Sequence, residues 1–417
     1  MISRYRLALT VGVFALVGCN DAFNAGPIVY SESPKQTTDL KDKPKLRKAV
    51  NDALKDLFGS SPREIKVPPG LAEFLPEHGM HLASRFVPIN DPKQPPKPLV
   101  YHDSDTGKLV RLEGGYALYR RHCLHCHGVT GDGEGPTAEF LWPRPRDFRP
   151  GKYKFTSTTT EKPTRSDLRK TIYQGIPNTA MSSFDGLMTH PEIEQVIDYV
   201  IFLSARGQTE INLINNAFLA EESEAEDLFD EDVLNESTKV VFEAWAGAEA
   251  AVLNPPIPRV PPTGRSIANG RSLFLGHQAT KGLQCVGCHD EKAHGNGTSF
   301  VPLAVFQDIT FGGDPNRLDE RLKTYDKATQ DLWTNGSIDD WGNPLRAANL
   351  NNGERTVYKG GQRPIDLYRR IAKGINGAKM PAHASVLKPE EIWDLVNFVL
   401  ALPSHPELLE HVPPPPG

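Results

Sequence analysis

"RRHCLHCHGVTGDGEGP", residues 120–136, sets two cysteines and three histidines in the six positions from His122 to His127. Residues of these types bind zinc, pair in disulfides or attach a haem, and the local sequence leaves all three open. A second stretch narrows the choice. "LQCVGCHDEKAHGNG", residues 283–297, lies over residues 121–135 at a constant offset of 162. Across the pair, only Cys123/Cys285, Cys126/Cys288 and His127/His289 keep a ligand-type residue, whereas His122 and His125 face Gln284 and Gly287. The recurring unit is C-x-x-C-H, with a glycine-rich turn a few residues later.

The repetition runs on downstream. "SDLRKTIYQGIPNTAMSSF" (166–184) lies over "IDLYRRIAKGINGAKMPAH" (365–383) at an offset of 199, pairing Asp167 with Asp366, Gly175 with Gly374 and Met181 with Met380. "HPEIEQVIDYVIFLS" (190–204) then lies over "KPEEIWDLVNFVLAL" (388–402). The step from 162 to 199 gives the second copy about 37 extra residues, and Trp142 and Trp341, again 199 apart, place them near 298–340. One domain is therefore present twice, over 112–206 and 266–403.

Each copy predicts helix. Ile193, Val196, Ile197 and Val200 recur at i, i+3, i+4, i+7, and Ile392, Leu395, Val396 and Val399 repeat the stripe. Asp167 and Asp366 sit where an N-cap belongs, Gly175 and Gly374 where a helix stops, and Pro191 and Pro389 in a first turn. "YALYRRHC" and "GRSLF" place an aromatic ahead of each cysteine pair on a leading helix. No segment sustains the period-two alternation of a strand.

The flanks differ from the copies. A chain of 417 residues exceeds one compact core, and 36 prolines with 35 glycines make much of it loop. Residues 1–18 carry Arg4 and Arg6, then an apolar run from Leu7 to Val17 that is far short of the roughly 20 residues needed to span a bilayer. The run closes on "LVGC", which resembles a bacterial lipobox; the resemblance implies cleavage before Cys19 and acylation of that cysteine. Residues 19–111 form a Pro-rich arm with one amphipathic helix over 44–59, whose Leu46, Val50, Ala53, Leu54 and Leu57 share a face that packs on its own protein. Residues 207–265 read as a linker, first acidic at 221–236 and then Pro-rich, and 404–417 as a stiff Pro-rich tail. A net charge of −5 without a basic block excludes nucleic acid as a partner.

The chemistry follows from the cysteine count. Of five cysteines, Cys19 is expected to carry lipid, and the other four then make two C-x-x-C pairs with none left over. A zinc ribbon needs its pairs about 15–20 residues apart, and a disulfide scaffold shows less regular spacing. C-x-x-C-H is the attachment signature of a c-type haem. Two thiols three positions apart reach both vinyl groups of one porphyrin, and the histidine that follows lies beneath the iron. Cys123, Cys126, Cys285 and Cys288 are thus the attachment residues of two covalent haems c, with His127 and His289 as axial ligands. Met380 in "GAKMPAH" and Met181 in the aligned "AMSSF" are candidates for the opposite faces, with Met188 and His190 as rivals to Met181.

The C-x-x-C-H units, "GDGEGP", "PRPRDF", "DLRKTIYQGIP" and "GINGAKMP" together resemble the mono/dihaem cytochrome c family of bacteria. The resemblance covers a little over half of the chain. It implies a mainly α protein of two tandem cytochrome c-like helical domains, joined by a helical and Pro-rich linker. It implies His127 and His289 as proximal ligands and Met181 and Met380 as distal ones. It also implies that the Pro136 carbonyl orients His127, with no clear equivalent in the second copy. Arg146, Arg346 and Lys359 read as solvated charges, with haem propionates as alternative partners. The expected function is a lipid-anchored periplasmic electron carrier. Its partners would be the membrane and other redox proteins: a dehydrogenase, a cytochrome complex or a terminal oxidase. A dihaem enzyme of peroxidase type with one open iron, and a structural haem subunit of a respiratory complex, are the alternatives.

Overall fold

The computed structural model describes residues 28–62, 64–75, 85–88, 100–102, 109–277, 283, 285–300, 323–334 and 338–410. Cys19 with its leader, much of the expected insertion and the end of the tail lie outside the described residues. The protein is mainly helical, as its sequence predicts.

Three helices precede the first copy: α1 (Pro34–Asp39), α2 (Pro44–Phe58) and α3 (Pro69–Phe74). Each opens on proline, whose missing N–H costs nothing in a first turn. The expected stripe of α2 is buried at Leu46, Val50, Ala53 and Leu54, so it packs on its own chain. A small antiparallel sheet follows, of β1 (Arg85–Pro88), β2 (Val100–His102) and β3 (Leu109–Glu113), with β3 in the centre. The sequence did not suggest it, because strands of three to five residues are too short for alternation to register. Pro88 is tolerated because β1 is an edge strand.

The first copy consists of α4 (Gly115–His122), α5 (Leu124–His127), α6 (Arg165–Gln174) and α7 (His190–Leu219), and α8 (Glu231–Ala246) comes next. Ile193, Val196 and Ile197 are fully buried and Val200 nearly so, each contributing about 1.5–3 kcal/mol. The first core reaches beyond 112–206. It takes Leu46, Val50 and Leu54 from the expected arm and Val241, Phe242 and Trp245 from the expected linker. The acidic run concealed this, since Asp230 caps α8 and Glu231 and Asp232 fill its first turn, while its apolar face comes later.

The second copy consists of α9 (Gly264–Phe274), α10 (Cys285–His289), α11 (Lys327–Thr334), α12 (Pro364–Lys373) and α13 (Pro389–Ala401). Its separate core gathers Leu273, Phe274, Leu367, Ile392, Leu395 and Val396, with Leu408 and Leu409 of the expected tail packed on it. α9 and α13 approach closely at Gly270, where a Cβ would lie 2.1 Å from the Asp394 carbonyl oxygen. In α6 and α12, Asp167 and Asp366 are the third residues of the first turn rather than N-caps. Thr164 and Arg363 hold the cap positions, and each carboxylate reaches back to accept the cap residue's N–H. Gly175 and Gly374 end these helices at φ +69° and +77°.

The two copies meet along a polar seam. Lys170 pairs with Asp366 at 2.9 Å and Lys152 with Asp340 at 2.5 Å, and the Asn376 side-chain amide donates to the Tyr153 carbonyl at 2.9 Å.

Candidate haem sites

In the first copy Cys123 caps a single helical turn. The amides of Cys126 and His127 both donate to the Cys123 carbonyl, at 3.1 and 2.9 Å. Residues three apart on one turn share a face, so both thiols point the same way. Among the described residues the four cysteines are free and half-buried. Burial pushes the Cys123 thiol up to about 12 and the Cys285 thiol up to about 11. These are neutral thiols rather than the lowered-pKa thiolates of a reactive site.

A loop then folds back under the turn, and its hydrogen bonds recur one for one. Gly133 donates to His127, Gly135 to Cys126 and Thr137 to His125; Gly295 donates to His289, Gly297 to Cys288 and Ser299 to Gly287. Each partner lies 162 residues on. The close approach requires glycine, since a Cβ on Gly135 would sit 2.5 Å from the His125 carbonyl oxygen, and one on Gly297 would sit 2.2 Å from that of Gly287.

The next strand of loop anchors the histidines. His127 Nδ1 donates to the Arg146 carbonyl at 3.1 Å, and His289 Nδ1 to the Ala348 carbonyl at 3.0 Å. This corrects two expectations at once: the carbonyl belongs to Arg146 rather than Pro136, and the second copy has its equivalent. The reason the sequence hid it is a local offset of 202. Phe148 donates to Gly131 and Leu350 to Ala293 in the same frame, whereas the two tryptophans suggested 199. In that frame Arg144, held by both oxygens of Glu134 at 2.9 Å, corresponds to Arg346, which meets Asn296 and the Gly295 carbonyl.

A donating Nδ1 leaves the lone pair on Nε2, the tautomer that ligates a metal. Burial holds the His127 imidazole down to about 4, and burial lowers His289 as well, so both rings are neutral. Phe148 stacks on the His127 ring at 4.5 Å and fixes its plane.

The methionines lie in matched loops. Ile176 donates to the Met181 carbonyl at 2.9 Å and Ile375 to the Met380 carbonyl at 3.1 Å. Phe184 and His383 then donate back to Ile172 and Ile371, so Ser182, in place of Pro381, leaves the loop unchanged. Of the rivals, Met188 is buried in the first core, while His190 is exposed at the start of α7 and stacks on Tyr173. Met181 and Cys123 flank the first core, and Met380 and Cys285 flank the second. The donor set fits haem c in each copy: two half-buried free thiols on one face, a neutral histidine with Nε2 free to bind, and a methionine loop beside the same core.

Two expected solvated charges differ. Arg346 makes the contacts above, but the Arg146 guanidinium turns inward onto the Trp341 ring, 3.5 Å from its centroid. Burial lowers its pKa to about 10. Sequence patterning offered no sign of this, because Arg146 faces Ala348 in the structural frame.

Residues 110–200 match the family model for cytochrome c oxidase, cbb3-type, subunit III. The cbb3-type cytochrome c oxidase subunit CcoP of Azospirillum sp. (strain B510) is 33% identical over 101 residues, which are 23% of this chain and 32% of that protein. The chain thus spans about a third of the length of the curated relative it matches. A chain of the Kuenenia stuttgartiensis reducing HAO-like protein complex aligns with a TM-score of 0.45 and 23% identity, over 74% of this chain and 98% of that one. No helix among the described residues is long and apolar enough to cross a membrane. The family match falls on the loop frame and histidine anchor of the first copy, and it supports a c-type cytochrome domain over residues 110–200.

Proposed function

We propose that the chain is a two-haem electron-transfer protein, held at the periplasmic face of a membrane by lipid on Cys19 and serving a respiratory redox complex. The observation that carries the reading is the duplicated frame: turn, fold-back loop, histidine anchor and methionine loop recur in the second copy. The CcoP relative is named as an oxidase subunit, which supports a place beside other redox proteins, such as a dehydrogenase or a terminal oxidase. Haem c bound in each copy supplies an iron that gains and loses one electron.

The chain's own residues do the rest. Cys123 and Cys126, and Cys285 and Cys288, fix the ring covalently. The Arg146 and Ala348 carbonyls hold His127 and His289 in one tautomer and raise their basicity toward iron. Met181 and Met380 would offer each iron a soft, neutral ligand, which would raise the potential. If Met181 and Met380 ligate as proposed, no position would be left open on either iron, which would favour electron transfer over substrate binding. The closed Met181 loop therefore favours a carrier over a peroxidase.

Absorption spectroscopy of the holoprotein tests this. Pyridine haemochrome should give two haems c per chain, with the far-red band of methionine-ligated ferric iron and no change on adding carbon monoxide to the reduced form. One haem per chain, or carbon monoxide binding at either, sinks the carrier reading. Labelling with radioactive palmitate, and its loss in Cys19→Ser, tests the anchor.

A further inference from the structure

The seam between the copies holds more positive charge than it can pair. Arg146 lies there with its guanidinium on the Trp341 ring, and its Nη1 is buried with no hydrogen-bond partner. Other arginines of the two copies have carboxylate or carbonyl acceptors: Arg149 takes Asp147, Arg165 takes Glu194 and Asp198, and Arg370 takes the Asp366, Lys359 and Gly361 carbonyls. Arg206, over the Tyr30 ring, also has an unpartnered Nε, but its guanidinium reaches the Glu210 carboxylate at 3.4 Å. Lys154 stands near Arg146 and reaches Asp339 at 3.3 Å, and Lys359, at the exposed rim, is close enough to Lys154 for the two charges to repel. Asp339 is the nearest carboxylate. It is already engaged, accepting from the amides of Trp341 and Asn343 at 3.1 and 2.9 Å. Asp147 is taken by Arg149 and Asp340 by Lys152.

Three cations around one committed carboxylate leave an excess near two positive charges. A guanidinium nitrogen held out of water without a partner is unfavourable unless an anion answers it. The planar guanidinium fork matches a carboxylate in the two-bond geometry. Arg146 is also the residue whose carbonyl holds His127, so its side chain leaves the wall of the first haem site directly into the seam. The second copy, with Ala348 at the corresponding position, has no such group.

We propose that Arg146, Lys154 and Lys359 form a carboxylate-binding site at the seam and that a haem propionate fills it. The inference rests on the haem reading above and assigns residues to it: Arg346, engaged with Asn296, is excluded, and Lys154 is added. The second copy's Lys359 and Trp341 then help to set the potential of a haem held by the neighbouring copy. A cation beside a haem favours the reduced form, so these residues raise that potential.

The test uses the full-length holoprotein, with haem content measured first; a chain without haem refutes the haem reading itself and is recognised at that step. Arg146→Gln and Lys154→Gln are then compared with wild type by spectroelectrochemical titration and resonance Raman spectroscopy. The site is supported if the midpoint potential of one haem falls in both variants, the propionate-bending band moves, and Arg146→Lys restores part of each shift. Wild-type potentials should not respond to added phosphate or acetate at constant ionic strength. A potential that titrates with phosphate or acetate identifies a site for free anions and overturns the propionate assignment. An unmoved propionate band overturns it too, whatever the potentials do. If Arg146→Gln does not fold, Lys154→Gln and Lys359→Gln carry the same two readouts.

Discussion

The two copies share a backbone and differ in side chains. The matched hydrogen bonds of the fold-back loop run between main-chain amides and carbonyls, and both histidine anchors end on a main-chain carbonyl, so they survive where the sequences part: Arg146 against Ala348, Ser182 against Pro381, Phe148 against Leu350. The surroundings differ more. The first core is thickened by α2 and α8, whereas the second gains only the partly buried Leu253, Ile257 and Val260 of the linker and Leu408 and Leu409 of the tail. Positioning is thus kept by backbone geometry and tuning is left to the side chains, so the two proposed haems are expected to differ in potential.

The largest test of that equivalence removes one site at a time. Cys126→Ser with His127→Ala should lower haem content from two to one per chain, and Cys288→Ser with His289→Ala should do the same. The remaining haem should keep its own potential, read by haemochrome and mass spectrometry. Loss of both haems from either variant would break the picture of two self-sufficient frames.

Met181→Ala and Met380→Ala probe the ligand pair at the next level. Each should open one iron to carbon monoxide and lower one potential, with equal occupancy in the two variants. Carbon monoxide binding in Met380→Ala alone would mean that Ser182 matters after all, and that a group other than Met181 closes the first haem.

Gly135→Val and Gly297→Val test the fold-back loop. With a Cβ 2.5 or 2.2 Å from a carbonyl oxygen, each should cost about 1–3 kcal/mol and lower the melting temperature of its own copy. Equal losses in the two variants would confirm that the frame is the same in both.

What could be seen in the sequence depended on period and spacing. The C-x-x-C-H units, the stripes of α7 and α13 and the stops at Gly175 and Gly374 are local patterns, and each lies where the pattern put it. The histidine anchor was hidden because its frame is a third offset, 202, between segments with few identities. The thickening of the first core was hidden because burial of Val241 or Trp245 depends on what α7 presents beyond residue 204, which no helix pattern alone reports. Asp167 and Asp366 were misplaced by three residues, since a carboxylate in the first turn serves the cap from inside the helix as readily as from its end.

That last misplacement yields the smallest prediction. α6 and α12 present the same aspartate to the same backbone, but their cap residues differ. Thr164 offers a hydroxyl that accepts the Asp167 amide at 3.0 Å, while Arg363 has no acceptor and holds Asp366 as an ion pair at 3.0 Å. A lost hydroxyl cap costs about 1 kcal/mol, so Thr164→Ala should lower the stability of the first copy by that amount. Arg363 is largely exposed, and an exposed pair contributes roughly a few tenths of a kcal/mol. Arg363→Ala should therefore be nearly silent, because Lys170 still faces Asp366 across the seam at 2.9 Å. Equal losses in chemical denaturation would show that the carboxylate, not the cap side chain, carries both helix starts. A larger loss in Arg363→Ala would place the weight on the seam, since Asp366 is the one residue that belongs to both.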